Sequence, residues 1–253
     1  MSELKISRWE NQKWICNCTI RDITGVPIFI QEQFFSVLAP KPILYKIDGT
    51  TLKTYGGRIL CLSPFVMVVR EEHFTIVYKL AKNGTNENDD STKIDNVLAT
   101  DAIVFENDVY LCGDEGVFKF SKNNREYLTY GSYTRFCLYT AEETTFLLHS
   151  EEDELFFTDL KQRCITRSLC HSDSVICQLV HLYDSVVAFG TTNGQVCVLD
   201  LSSDVPVVIL SRWIHGPVES IAGEKIGLNL WVTGQVSSIW VFKLLKSEDI
   251  NTS

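Results

Sequence analysis

A short pattern recurs along this chain at a nearly constant spacing, and it limits the possible folds more than any other feature. Each copy has an apolar residue or threonine, then lysine or aspartate, then an apolar residue, as in Leu199-Asp200-Leu201. The middle residues of the copies are separated by 33, 40, 40, 41 and 43 residues and are Lys46, Lys79, Lys119, Asp159, Asp200 and Lys243. A repeat of this length indicates a chain built from similar supersecondary units.

Each interval divides into short apolar runs rich in valine, isoleucine, phenylalanine and tyrosine, which have the length and composition of β-strands. The clearest interval, residues 185–201, has such a run on either side of a turn containing Asn193-Gly194. This dipeptide adopts the positive φ angles that a tight hairpin requires. No run of ten or more residues has the 3.6-residue periodicity of an amphipathic helix. We therefore predict an all-β chain with four strands in each unit.

Units of four strands that repeat every 40 to 45 residues or so are typical of β-propeller blades. We predict a single domain with six blades, which cover approximately residues 26–56, 57–98, 99–131, 132–170, 171–212 and 213–245. The sixth blade lacks an outer strand of its own, whereas residues 13–21 form an extra strand near the N-terminus. Pairing of residues 14–21 with residues 239–244 would close the ring and leave no open edge. A seven-bladed or an open propeller is the alternative.

The segment from residue 169 to residue 201 resembles a WD40 repeat. His171 stands where the Gly-His pair of that family ends, Asp184 lies in a predicted tight turn, and Leu199-Asp200 occupies the place of the Trp-Asp pair. The glycine, the tryptophan and the tetrad serine of the family are replaced by Cys170, Leu199 and Phe189. The resemblance implies a WD40-like propeller that serves as a non-catalytic scaffold or adaptor subunit of a multiprotein complex, an analogy from fold.

The charge balance bears on the class of partner. With 23 lysines and arginines against 32 aspartates and glutamates, the formal net charge is −9. Binding to nucleic acid through its phosphates requires a basic surface, so direct nucleic-acid binding is not expected. A basic or amphipathic segment of a protein partner suits this charge better.

The location in the cell is predicted from two features. The first ten residues contain no apolar core of a secretory signal, and no apolar run approaches the roughly 18 residues of a membrane helix. The nine cysteines lie mostly inside apolar strands, which favours buried thiols in a reducing compartment. We expect an intracellular protein of the cytoplasm, the nucleus or both, without membrane insertion.

Acidic residues recur in the turns between the second and third strands of blades two, three and four. In a propeller these turns share one face with the connections that lead into each inner strand. The carboxylates at these turns belong to Glu71, Glu72, Asp114, Glu115, Glu151, Glu152 and Asp153. They predict an acidic arc that attracts a basic segment over long range. The alternative is that these residues only keep the chain soluble.

A second candidate site lies at the entry to blade six, where Arg212, Trp213 and His215 fall in a predicted turn. An exposed tryptophan beside an arginine has the composition of a binding hot spot. The alternative is a tryptophan packed beneath its own loop.

The residues that could support catalysis do not form a known motif. Five histidines are scattered over four blades, and no nucleophile elbow, P-loop or dinucleotide fingerprint is present. The spacings of Cys164, Cys170 and Cys177, and of Cys16 and Cys18, do not fit the paired thiolates of structural zinc sites. We predict no enzyme activity, cofactor or metal. The alternatives are a propeller enzyme with a site in the central channel and an accessory subunit of an RNA-processing or other nucleic-acid-associated complex.

Overall fold

The computed structural model describes most of the chain. The described residues are 3–10, 13–21, 26–30, 34–38, 43–46, 50–54, 56–63, 65–80, 91–95, 97–106, 108–121, 124–141, 144–161, 164–203, 205–224, 228–234 and 239–244. They contain 25 β-strands and no helix, so the prediction of an all-β chain is confirmed. Within these ranges no helix is long and apolar enough to span a membrane.

The strands form antiparallel sheets in chain order. A two-stranded sheet at the N-terminus consists of β1 (Glu3–Glu10) and β2 (Lys13–Arg21). Two four-stranded sheets follow, made of β3 (Val26–Ile30), β4 (Phe34–Leu38), β5 (Ile43–Lys46) and β6 (Thr51–Thr54), then β7 (Arg58–Leu62), β8 (Val66–Arg70), β9 (Phe74–Lys79) and β10 (Ser91–Asp95).

The later sheets repeat this order. The next four-stranded sheet consists of β11 (Ala99–Phe105), β12 (Asp108–Gly113), β13 (Gly116–Ser121) and β14 (Asn124–Thr129). Two further sheets are formed by β15 (Arg135–Ala141), β16 (Thr144–Glu151), β17 (Glu154–Asp159) and β18 (Cys164–His171), and by β19 (Ile176–Tyr183), β20 (Val186–Thr191), β21 (Gln195–Asp200) and β22 (Val207–Trp213). The last sheet has three strands, β23 (Val218–Glu224), β24 (Asn229–Gly234) and β25 (Ile239–Lys243).

The chain divides into two compact units, Met1–Asn107 and Asp108–Ser253. In the first unit the leading strands β3, β7 and β11 follow one another as neighbours. Its core lies between the sheets of β3–β6 and β7–β10, where Leu44 packs with Ile59, Met67 and Val69. Burying each of these side chains stabilises the unit by roughly 1.5–3 kcal/mol.

In the second unit the leading strands β15, β19 and β23 are likewise neighbours. Strand β21 shows why the packing continues from sheet to sheet. Its residues Cys197 and Leu199 enter a core with the β15–β18 sheet, whereas Val196 and Val198 enter a core with the β23–β25 sheet. Since successive side chains of a strand point to opposite faces, the β19–β22 sheet is buried between two neighbours.

The predicted hairpin at residues 185–201 is present as β20, a turn and β21. Gly194 has a φ of 97°, and its amide donates to the Thr191 carbonyl at 3.1 Å. The Thr191 hydroxyl donates to the Asn193 side-chain oxygen at 2.6 Å. Asn-Gly marked the position of the hairpin, but the expectation of a positive φ at Asn193 was wrong, because only Gly194 of loop residues 192–194 has one. A three-residue loop with a single left-handed glycine is another common hairpin connection.

The N-terminal strand has a partner that the sequence did not predict. Strand β2 pairs antiparallel with β1 along its length, from Glu3 opposite Arg21 to Glu10 opposite Lys13. Residues 3–10 were not assigned to any strand from the sequence. The predicted ladder between residues 14–21 and 239–244 is not among the strand pairs of the described residues, so ring closure stays a prediction.

The WD40 resemblance would place His171 and Asp184 in one hydrogen-bonded tetrad, and the strand order corrects this detail. His171 ends β18 opposite Glu154, whereas Asp184 follows the far end of β19. An eight-residue strand spans roughly 26 Å, so these two residues cannot share a hydrogen-bond network. Asp200 instead accepts a hydrogen bond from the Ser185 hydroxyl at 2.7 Å and so ties the start of β20 to the end of β21.

Candidate functional site

In the second unit, the turns between second and third strands lie beside the connections that lead to the next sheet. Backbone hydrogen bonds join them: Tyr133 donates to Gly113 at 3.2 Å, and Ile214 donates to Gly194 at 2.9 Å. Ser172 donates to Asp153 at 2.8 Å in the same way. We call this surface the hairpin face, which comprises residues 113–116, 130–134, 151–154, 172–175, 191–195 and 214–217.

Two of the predicted carboxylates lie on the hairpin face in the turn between β12 and β13. Asp114 and Glu115 are both exposed. The Tyr127 hydroxyl donates to Glu115 Oε2 at 2.7 Å, and this hydrogen bond raises the pKa of Tyr127. The Ser132 hydroxyl lies 3.4 Å from Asp114 Oδ1, at the limit of a hydrogen bond. The turn is thus attached to the neighbouring strand and connection while its carboxylates remain accessible.

Three more carboxylates lie in the turn between β16 and β17. Glu151 and Glu152 are exposed and Asp153 is half-buried. The connection between β18 and β19 is hydrogen-bonded to the main chain of this turn, since the Ile176 amide donates to the Glu152 carbonyl at 2.8 Å. Exposed Asp173, which the sequence analysis missed, lies in that connection. None of these four carboxylates forms an ion pair with a cation among the residues that the structure describes.

The remaining acidic candidates, Glu71 and Glu72, lie in the first unit, in the turn between β8 and β9. Glu71 is half-buried and covers Gly56, where an added β-carbon would be 2.8 Å from Glu71 Oε2. Glu72 is exposed and lies 3.9 Å from the equally exposed His73 Nε2. The seven predicted carboxylates are therefore shared between two units, and their arrangement as one arc stays a prediction.

The second candidate site begins on a strand rather than in the predicted turn. Arg212 and Trp213 are the last two residues of β22, opposite Val196 and Gln195, and only His215 lies in the connection. Trp213 is 55% exposed, and Arg212 and His215 are exposed too. Among the described residues, the Arg212 Nη1 donates only to the adjacent Ser211 carbonyl, at 2.9 Å. Arg212, Trp213 and His215 are called the Trp213 corner below.

Apolar side chains are exposed in the outer strand β22 and immediately before it. Val205, Val207 and Val208 are 74%, 55% and 57% exposed. The sequence signal for this exposed apolar edge is the run Val-Val-Ile-Leu, because other outer strands contain lysine and glutamate.

The described histidine side chains of the second unit that lie in strands are far apart. His149 is buried, and His181 lies near the other end of its sheet, where its Nε2 donates to the Asp184 carbonyl at 2.9 Å. His171 lies in β18, but its side chain is outside the described residues. The described residues contain no group of three or more His, Cys, Asp or Glu side chains placed to hold a metal ion.

Two of the described cysteines, Cys61 and Cys177, are thiols that are poorly suited to nucleophilic chemistry. Burial, assisted by the nearby Asp101 carboxylate, raises the pKa of Cys61 to about 12. Burial also raises the pKa of Cys177, whose Sγ donates to the Val218 carbonyl at 3.1 Å. Reactive cysteines require the opposite shift. Cys164 and Cys170 lie in β18, and Cys16 and Cys18 in β2, but their side chains are outside the described residues.

Comparison with known proteins gives information about the fold. No protein-family model matches the sequence, and no curated protein matches it. The structure is similar to a chain in the crystal structure of a mitotic checkpoint complex, with a TM-score of 0.67 and 10% sequence identity over 85% of this chain and 72% of that chain. In total 1069 chains of solved structures match, so the similarity indicates a widely used fold rather than one activity. Together with the succession of antiparallel four-stranded sheets, it is consistent with a β-propeller.

Proposed function

We propose that this chain is a non-catalytic scaffold or adaptor subunit of an intracellular multiprotein complex. It presents the carboxylates of the hairpin face and the Trp213 corner to a basic or amphipathic segment of a partner protein. The observation that carries the proposal is the set of Asp114, Glu115, Glu151 and Glu152, which are exposed and have no described cationic partner. Uncompensated charge of one sign on a surface accelerates encounter with the opposite charge.

The proposed architecture is a six-bladed WD40-like propeller that β2 closes in cis. It is supported by the neighbouring leading strands within each unit and by the three-stranded last sheet, which is one strand shorter than the five four-stranded sheets before it. Removal of residues 1–21 tests closure, since it would delete the closing strand. We expect a large loss of thermal stability. An unchanged melting temperature would favour an open ring or a different number of blades.

The binding proposal is tested by reversing charge on one turn. The double variant Glu151→Lys/Glu152→Lys should bind an eight-residue peptide of alternating arginine and alanine about tenfold more weakly, or roughly 1.4 kcal/mol. Fluorescence anisotropy at two salt concentrations measures this, and the wild-type affinity should fall with salt because exposed charges are screened.

Glu106→Lys is a matched control for the change at residue 152. Both residues are exposed in turns, and their φ angles are 50° and 51°, so lysine meets the same backbone constraint. Glu106 lies outside the predicted arc, and its substitution should leave affinity within about twofold. Equal losses for the two sites would show only a general effect of net charge and would contradict the proposal.

Affinity purification from native cells should also recover a stoichiometric partner.

A further inference from the structure

The outer strand β22 exposes apolar side chains along an edge that has no described partner. Its ladder to β21 runs from Val207 opposite Asp200 to Trp213 opposite Gln195, and β21 is its only partner among the described residues. Every second residue of an edge strand directs its backbone N–H and C=O groups outward. Such an edge can pair with another extended chain unless something protects it.

The outer strands β6, β10 and β14 differ from β22 in what they expose. Of their residues whose side chains the structure describes, the exposed ones are all polar: Thr51, Thr54, Ser91, Lys93, Asn124 and Glu126. In β22, by contrast, the exposed residues Val207 and Val208 are β-branched and apolar. Proline blocks strand pairing because it lacks an N–H group, and Pro206 stands immediately before β22. The available edge is therefore limited to residues 207–213.

The charge of this edge indicates what kind of chain would cover it. Residues 205–218 contain no aspartate or glutamate, and Arg212 and His215 are their only ionisable side chains. With histidine counted as neutral, Arg212 carries the one formal charge of this stretch, which Asp204 precedes and Glu219 follows, in a protein of net charge −9. Pairing with a second copy would place no carboxylate opposite Arg212 and would bring two acidic proteins together. A partner strand with a carboxylate opposite Arg212 would form a favourable cross-strand pair.

We propose that β22 accepts an extended segment of a partner protein as a fifth, antiparallel strand. The segment is apolar at alternate positions and carries an acidic residue near its N-terminal end, opposite Arg212. Backbone hydrogen bonds provide affinity, and contacts with Val207, Val208 and Trp213 determine which side chains the partner segment can carry. The inference rests on the proposed function in assigning the Trp213 corner to a partner, but it does not involve the acidic turns.

The test uses the full chain and two synthetic peptides. The first has aspartate at its second position followed by alternating valine and threonine, and the second replaces that aspartate with lysine. We expect the aspartate peptide to bind at least tenfold more tightly than the lysine peptide and to slow amide hydrogen exchange in residues 207–213. Arg212→Glu should reverse the preference between the two peptides.

Substitutions at three valines distinguish strand pairing at the β22 edge from nonspecific hydrophobic binding. Val208→Lys, and independently Val207→Lys, should weaken binding of the aspartate peptide at least tenfold, because lysine is a natural blocker of edge strands. Val205→Lys makes the same change at an exposed valine on the other side of Pro206, and it should leave affinity unchanged. Thermal melts establish that each variant is folded.

The other outcomes overturn the proposal. Equal binding by Val205→Lys and Val208→Lys, or no discrimination between the peptides, would remove the strand-addition site. A dimer in sedimentation velocity that Val208→Lys dissociates would assign the edge to a second copy of this chain. Since Glu151→Lys/Glu152→Lys should leave binding of the aspartate peptide intact, failure here is distinguishable from failure of the acidic turns.

Discussion

A β-carbon placed on Gly190 would lie 2.4 Å from the Cγ1 atom of Val218. Gly190 is a buried residue of β20, and Val218 begins β23 of the next sheet. The Cys177 thiol lies between them, 3.5 Å from the Gly190 carbonyl and 3.1 Å from the Val218 carbonyl. The absent side chain at residue 190 is what allows these two sheets to approach.

We therefore predict that Gly190→Ala destabilises the protein by roughly 1–3 kcal/mol through overpacking. Val218→Ala should relieve the clash, so the double variant should lose less stability than the sum of the single losses, by about 1 kcal/mol or more. Urea unfolding of the four proteins in this cycle measures the coupling. Gly190→Ala combined with Val117→Ala, a buried change on β13 outside the core cluster that contains Val218, should instead be additive.

The close approach at Gly190 also shows the limit of what the sequence predicted. Hydrophobic alternation and Asn193-Gly194 located most of the strands and the hairpin between β20 and β21, because both signals are local. No local signal identifies which side chain faces a glycine across a sheet boundary. The same applies to the exposure of Val208, since no described strand pairs with the outer edge of β22. The pairing of β2 with β1 was missed because the alternation of Leu4 and Ile6 breaks at Ser7-Arg8, where the ladder has a register shift.

A guanidinium group links neighbouring leading strands in the second unit. The Arg135 Nε donates to the Cys177 carbonyl at 2.7 Å, from β15 to β19, and Nη1 donates to the adjacent Thr134 carbonyl. Hydrogen bonds from charged groups contribute about 1.5–3 kcal/mol, so Arg135→Ala should lower the free energy of unfolding by that amount.

Arg212→Ala is the control for this change. Its guanidinium donates a hydrogen bond to the carbonyl of the residue before it and to no other residue that the structure describes, and the side chain is exposed. Its loss should change stability by no more than about 0.5 kcal/mol in the same denaturation assay. If Arg135→Ala were as mild as Arg212→Ala, the link between β15 and β19 would have no energetic importance.

The turn at Gly194 should tolerate no side chain. Its φ is 97°, and an added β-carbon would lie 2.3 Å from the Ile214 carbonyl oxygen. Gly194→Ala should cost at least about 1–3 kcal/mol from backbone strain alone, seen as a lower melting temperature. Asp184→Gly is the opposite exchange, at a residue with a φ of 46°. Because glycine adopts that conformation freely, this variant should change the stability by less than about 1 kcal/mol.

His149 should make the protein sensitive to acid. The side chain is fully buried between the rings of Tyr133 and Phe156, and its Nε2 lies 3.1 Å from the Thr158 hydroxyl. Its buried Nδ1 has no hydrogen-bond partner among the described residues. Burial lowers the pKa of His149 from 6.5 to about 4 in the folded protein. The folded state therefore holds this imidazole neutral at pH values where the unfolded chain binds a proton.

The sign of the pH effect follows from that difference. Because the unfolded state binds more protons, stability is fully present above pH 6.5 and is lost as pH falls towards 4. Between pH 7 and pH 5 this group should lower the free energy of unfolding by roughly 2 kcal/mol. The variant His149→Phe/Thr158→Val keeps an aromatic ring beside Phe156 and removes both partners of the buried hydrogen bond. Urea unfolding at pH 7 and pH 5 measures the loss of stability in both proteins, and we expect the loss to be roughly 2 kcal/mol smaller in the variant. Equal losses in the two proteins would exclude His149 as the source of acid sensitivity.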